Sequence, residues 1–417
     1  MIQLLTYPDI DPQQWQALVE RSPYATWFQT KEAYEFYAAN PSEMHPFAIG
    51  IEENEVKGTE DECKVESLKF KGTDDECKVE SVKFKGTDDE CKVESVKFKG
   101  EENGKADTPT SIPYTLHPTP TLKGVIVGYI TRERNSLKQF FTRRAIIIGG
   151  PLLAEDISAT ALAELLKAVK AMGYGLWAIG EENNRQSPIA NRPIYIESRN
   201  FHDYSKWKSI FETNGFAYQQ HLNYHVNTST VEIAQSNIGK HRWKYIRLSM
   251  RDGAKIVENP SIEQVRAFYT ILQDLYKTKV KTPLWSWEFF ERLYYVEHAK
   301  YILVELDGKI VGGTACVSLP GKAVYEWYAC GLDNCRNDIR PLSVAIWGEM
   351  QYAAENGYPL FDFMGAGKPD EPYGVRDFKA EFGGELVEHG RYLHICKPLL
   401  YKIGKWGVKI LKSGKIW

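Results

Sequence analysis

The sequence predicts an α/β protein in which one unit with a mixed sheet occurs twice. Two observations carry this. Residues 1–235, with one internal block set aside, read strand, two helices, hairpin, strand, helix, strand; residues 236–395 read in the same order. The composition, 43% hydrophobic with 13% aromatics over 417 residues, is enough for two or three well-packed domains.

In the first half, MIQLLTY is a strand and DPQQWQALVERS and QTKEAYEFYAAN are helices. HPFAIGIEEN (45–54) and GVIVGYITRE (124–133) are the arms of one hairpin, and RAIIIGGPLL is the next strand. SATALAELLKAVKAMG is an amphipathic helix: Leu162, Leu165, Leu166 and Val169 share a face and Gly173 ends it. PIYIESRN, a short helix around KWKSIFETN, and QHLNYHVNT complete the half.

The basic helix SNIGKHRWKYIRLSMRDG opens the second half, followed by the strand AKIVEN and the helices SIEQVRAFYTILQDLYK and WSWEFFERLYY. YILVELDGKIVGGTACVSL turns at Asp307-Gly308, a strong hairpin signal. AVYEWYACG is a strand, PLSVAIWGEMQYAAENG a helix, PLFDFMG a strand, FKAEFGG a turn or short helix, and LVEHGRYLHIC one closing strand.

The block set aside runs from Lys57 to Gly100. It reads KGTEDECKVESLKF, then KGTDDECKVESVKF twice, then KG. Each 14-residue unit pairs a turn with a strand-like run, so the copies predict a short antiparallel meander. It is expected as an insertion over 55–121 at the tip of the first hairpin, where lengthening a loop costs little.

The net charge of −3 confines any nucleic-acid contact to a local patch. No signal-peptide pattern and no 18-residue apolar run is present, which predicts a cytoplasmic protein without a spanning helix. Of seven cysteines, three (Cys63, Cys77, Cys91) are repeat copies and the others lack metal-ligand spacing. Nucleophile-elbow, Walker and zincin motifs are missing, so no metal or cofactor is expected.

Three segments carry chemistry. The basic helix aligns Lys240, Lys244 and Arg247, with Arg242 and Arg251 nearby. It presents either a stripe for phosphates or a solvated charged face. The segment FDFMGAGKPDEPYGVRDFKAEFGGE (361–385) runs from a strand end into a Gly/Pro-rich loop, a common place for polar groups to converge on a ligand. Its Lys379, between Phe378 and Phe382, is either a desolvated ammonium that steadies an oxyanion or a snorkelling surface lysine. In the tail KPLLYKIGKWGVKILKSGKIW, Leu399, Ile403, Trp406 and Ile410 recur at helical spacing beside Lys402, Lys405, Lys409 and Lys412. That pattern fits an interfacial basic helix or a terminal helix docked on the core.

SPYATWFQT, IGKHRWKYIRLSMRDGAKI and the 361–385 segment together resemble the Fem family of peptidoglycan-bridge aminoacyltransferases. The resemblance implies two tandem GNAT (acyl-CoA N-acyltransferase)-like domains: 1–235 with the hairpin insertion, 236–395, and a C-terminal helix over 396–417. It implies transfer of an amino acid from aminoacyl-tRNA to an amine of a peptidoglycan precursor or related cell-envelope acceptor, with no metal and no covalent intermediate. The ester is already activated, so the protein has to align, accept a proton and stabilise an oxyanion.

By resemblance Lys379 matches the lysine of the family's F-K-x-x-F-G motif, a catalytic role, and Arg242 and Arg247, with Lys244 between them, lie in the segment that would contact an acceptor diphosphate. Asp362, chosen by position and chemistry, is a second catalytic candidate; Tyr328, Tyr373 and Arg376 are expected along the substrate groove. The chain departs from the family at Phe36-Tyr37, where members using a nucleotide-linked acceptor carry a lysine; Lys31 lies about a turn and a half earlier. A lipid-linked acceptor, with peripheral contact at the inner membrane face, is therefore an open alternative.

Two rivals remain. An acyl-CoA-dependent N-acyltransferase would need a glycine-rich pyrophosphate turn, which neither LDNCRNDIRPL nor PLLAEDISA offers. A non-catalytic envelope protein on the same fold would act through the repeat and tail.

Overall fold

A computed structural model describes residues 2–54, 65–71, 78–84, 90–92, 120–132, 142–174, 192–332, 335–336 and 339–412. The rest of the repeat block, residue 133 of the expected hairpin arm and the last five residues fall outside that range.

The first sheet contains β1 (Ile2–Thr6) and β2 (Met44–Asn54). Asn54–Pro120 is a compact unit of its own. Within it β3 (Val65–Lys71), β4 (Lys78–Phe84) and β5 (Glu90–Lys92) pair antiparallel in that order, as the repeats predict. The first sheet continues with β6 (Pro120–Thr131), β7 (Ala145–Gly149), the short β8 (Leu152–Leu153), β9 (Tyr195–Asn200) and β10 (Ala217–Gln219). The second sheet is built from β11 (Leu222–Asn227), β12 (Lys255–Val257), β13 (Ala299–Leu306), β14 (Lys309–Leu319), β15 (Ala323–Gly331), β16 (Leu360–Asp362) and β17 (Glu385–Glu388); β18 (Arg391–Ile395) returns to the first.

The first half's helices are α1 (Pro12–Arg21), α2 (Lys31–Ala38), α3 (Ala159–Gly173) and α4 (Lys208–Thr213). Then come α5 (Val231–Asn237), α6 (Lys240–Arg251), α7 (Ile262–Leu275), α8 (Trp287–Tyr294), α9 (Pro341–Glu355), α10 (Gly374–Ala380) and α11 (Pro398–Lys412). Local chemistry sets their ends. Asp11 accepts from Gln14 N–H at the start of α1, and Ser261 with Gln264 closes a capping box on α7.

Both sheets are mixed. β7 lies parallel to β9 across the crossover helix α3, and β15 parallel to β16 across α9. The hairpin turn at Asp307-Gly308 has φ of 51° and 75°, as a two-residue type I′ turn requires.

The boundary expected at 235/236 does not follow sheet membership. First-sheet order is β1-β2-β6-β7-β9-β18-β10, and second-sheet order β12-β13-β14-β15-β16-β11-β17. Each half thus lends a strand to the other: β11 fills the slot between β16 and β17, and β18 that between β9 and β10. The segment expected as one closing strand is two, because the chain turns at Gly390 (φ 63°), where a Cβ would lie 2.3 Å from the Tyr218 ring. Alternation specifies a strand and its buried face, but not the strand it pairs with.

The exchange joins the halves through a common core. Phe28 meets Tyr325 with ring centroids 5.7 Å apart, and Phe36 meets Phe289 at 5.0 Å. Phe36 and Tyr37 are buried, so no charged side chain occupies the positions where the Fem-like lysine is missing.

Candidate functional site

The two exchange points meet: Gly390 N–H donates to His221 O at 3.4 Å. Around them open two cavities, of about 310 and 270 Å³, that share His221 and Arg391. Strand alternation supplies their charged floor. On β9, Tyr195, Glu197 and Arg199 face the same way while Ile196, Ser198 and Asn200 are buried. Arg391 of β18 lies directly opposite Arg199.

Like charges so placed repel, and Glu197 offsets this by binding both. Its carboxylate sits 2.9 Å from Arg199 and 2.9 Å from Arg391. Burial works against its ionisation, but the two guanidiniums outweigh it and hold the carboxyl down to about 2. His221 Nε2 accepts from Arg391 at 2.8 Å. Burial, and then the Arg391 charge, lower that imidazole to about 3, so it is neutral at physiological pH. Arg144 also lines the larger cavity.

Aromatic rings wall this floor. Tyr129, Tyr276, Trp285, Trp327 and Tyr328 line the larger cavity. Trp327 and Tyr328 stack at 5.9 Å, and Tyr276 reaches Tyr328 at 6.4 Å. Tyr276 opens a π-helical turn (Tyr276–Val280) that ends α7, and Lys281 (φ 56°) releases the chain toward Trp285. Three arginines against one carboxylate, flanked by ring faces, make a site for an anionic molecule with flat or apolar parts.

The predicted residues fall into three groups. Tyr328 lines the larger cavity and Tyr373 the smaller. A second group stands behind the cavity wall at Met364, Gly365 and Gly367. Lys379 is half-buried, with its ammonium turned inward rather than snorkelling: Nζ donates to Phe363 O at 2.7 Å and Gly365 O at 3.0 Å, and pairs with Glu326 at 3.4 Å. Asp362 accepts from Asn223 Nδ2 at 2.7 Å and Met364 N–H at 2.5 Å, with His225 Nε2 at 3.0 Å. Burial would raise that carboxyl, but His225, Asn223 and the Met364 amide together lower it below its ordinary value. Arg376 donates to the Lys368 carbonyl at 3.0 Å and to the Glu371 carbonyl, pinning the loop.

The third group lies on α6. Arg242 packs on the Phe378 ring at 4.6 Å, pairs with Glu381 at 2.9 Å and donates to Ser343 Oγ at 2.8 Å, tying α6 to α10 and α9. Lys244 and Arg247 are exposed and line neither cavity. The sequence reading did not single out Glu197, Arg199, Arg391, Arg144 or the Tyr276–Trp285 wall. One signal was present: Glu and Arg two apart on a strand that otherwise buries every second residue.

Outside the cavities, Glu32, Glu297 and His298 bring three potential ligand atoms within 4.8 Å of one another. Glu32 already accepts from Trp27 Nε1 at 2.6 Å and pairs with His298 Nδ1 at 2.8 Å.

Residues 240–379 match the family model described as Acetyltransferase (GNAT) domain. Among solved structures, the chain is similar to FemX, with 13% identity and a TM-score of 0.58 over 96% of this chain and 99% of that one. It also aligns with a tandem GNAT protein from the clavulanic acid biosynthesis pathway (7% identity, TM-score 0.46, 95% and 99% covered). L-PGS from Bacillus licheniformis aligns at 13% identity and a TM-score of 0.45, over 68% and 85%. No curated protein matches in sequence. In fold, this chain is similar to FemX along nearly its whole length, and its residues 240–379 match an acetyltransferase (GNAT) domain.

Proposed function

We propose that the chain is an aminoacyltransferase that moves an amino acid from aminoacyl-tRNA to an amine of a peptidoglycan precursor or related cell-envelope acceptor. The observation that carries this reading is the cleft: three arginines and a run of aromatic rings at the junction of the two sheets. Arg199, Arg391 and Arg144 hold the anionic part of the acceptor, and Tyr328, Trp327 and Tyr276 hold its flat or apolar part. The donor ester needs no activation, so alignment and screening of charge supply the acceleration.

Lys379 and Asp362 act in this scheme from behind the wall, as positioning residues. Lys379 fixes the carbonyls of Phe363 and Gly365, and Asp362 fixes Met364 N–H and Asn223, which itself lines the cleft. Tyr373 and Arg376 shape the smaller cavity, and Lys244 and Arg247 offer an outer basic surface to the donor RNA.

A coenzyme A donor is the second reading, and two features disfavour it. The amino end of α3 already holds a carboxylate, since Glu53 accepts from Ser158 N–H at 3.0 Å and from Ser158 Oγ at 2.5 Å. At α9, Pro341 removes one amide and the Arg340 N–H is spent on Ser249 Oγ at 2.9 Å. The test is a transfer assay with charged tRNA or acetyl-CoA and a panel of amine acceptors. Turnover with charged tRNA, lost in Arg199→Ala, is expected; turnover with acetyl-CoA alone would overturn the reading.

A further inference from the structure

An amphipathic helix on a water-exposed body normally turns its apolar side inward. Over residues 398–406, α11 does the reverse. The half-buried positions there are Leu400, Tyr401 and Gly404, and the helix docks through Tyr401, whose ring meets Tyr195 at 5.4 Å. Leu399, Ile403 and Trp406 are 77%, 52% and 68% exposed. Steps of four and three residues set these in one stripe, opposite the docked side. Lys402 and Lys405 are exposed along the edge of that stripe, and PLLYKIGKWGVKILK contains no acidic residue.

We propose that α11 is an interfacial helix that seats the protein on an anionic lipid surface. Trp406, Leu399 and Ile403 enter the boundary between headgroups and acyl chains, while the two ammonium groups meet lipid phosphates. The helix lies in the plane of the surface, because no helix among the described residues is long and apolar enough to cross a membrane. Charge selects this partner over a second copy of the chain, which would bring lysines against lysines.

The contact also sets the cleft's position. Tyr195, which receives the helix, is followed on the same face of β9 by Glu197 and Arg199. Four strand residues span about 13 Å, so the arginine floor opens close to the lipid surface. That an acceptor borne on lipid is presented there rests on the transferase reading; binding to the surface does not.

The test is co-sedimentation of the full chain with vesicles of phosphatidylcholine, alone or mixed with phosphatidylglycerol, at about 0.05 M and about 0.5 M salt. Binding to the mixed vesicles at low salt, weakened at high salt, is expected. L399S/I403S/W406S should lose more than about tenfold of it, and K402E/K405E roughly fivefold or more per lysine. Circular dichroism of each variant should match the parent. Indifference of the parent to phosphatidylglycerol, unchanged binding by the triple variant, or a dimer that the triple variant abolishes without vesicle binding would each overturn the proposal. Vesicle binding without aminoacyl transfer would uphold it while removing the reaction proposed above.

Discussion

Replacing Glu349 by methionine should stabilise this protein, and more strongly as pH rises. Glu349 lies on α9 with no exposed surface; the Thr314 and Cys316 side chains approach its carboxyl, yet neither oxygen has a hydrogen-bond partner of good geometry. The same is true of Thr314 Oγ1 and Glu326 Oε2. Burial, and then the Glu326 carboxylate, push Glu349 well above the ordinary carboxyl range. An unsatisfied buried polar group costs about 1–3 kcal/mol, and methionine fills a similar volume without one. Between the ordinary carboxyl value and the raised one, the native state keeps a proton that the unfolded chain has lost. Parent stability therefore falls with rising pH in that window, by about 1.4 kcal/mol per pH unit for one group. The advantage of Glu349→Met should be about 1–3 kcal/mol near pH 5 and should grow as pH rises toward neutral. Urea unfolding followed by tryptophan fluorescence across this range measures it. A variant less stable than the parent by a constant amount at every pH would refute the reasoning, because it would mean that the carboxyl is well satisfied in the native state.

Other substitutions separate the roles assigned above. Lys379→Met leaves the nearly buried Glu326 without its cation, so it should destabilise by about 3 kcal/mol at neutral pH and less in acid, where Glu326 takes up a proton; equal loss at all pH would contradict the pairing. Glu197 is held down to about 2, so its contribution, on the order of 3 kcal/mol, is present above the ordinary carboxyl range and disappears as pH falls toward that value. Glu197→Gln should accordingly flatten the acid limb of the stability profile. Arg242→Ala should loosen α10 by about 1–2 kcal/mol, and Arg242→Lys, which lacks the planar fork, should not restore it in the same unfolding assay. Deletion of residues 58–99 is expected to leave the thermal midpoint and transfer activity close to the parent's; a collapsed or inactive protein would show that the repeats are integral.

Much of the fold was legible because each element carries its own boundary chemistry. Ser158 and Gly173 bracket α3, Asp307-Gly308 closes a hairpin, and the repeat announces its strands by recurrence. The site was less legible. Lys379 and Asp362 stood out as charged groups in a glycine-rich segment, yet nothing local told a cleft residue from one that holds the cleft wall from behind. Arg242 looked like part of a phosphate stripe; its stacking on Phe378 depends on a helix more than a hundred residues away.

The sequence alone determined the duplicated α/β order, the separate character of the repeat block and the amphipathic pattern of the tail, since all three are periodic or local properties. Tertiary structure decided which strands changed sheets, and with them the cleft. Arg199 and Arg391 are 192 positions apart and become neighbours because β18 crosses back to pair with β9. Strand pairing is a long-range choice settled by the whole sheet, so the cationic floor exists only once both halves have folded around each other.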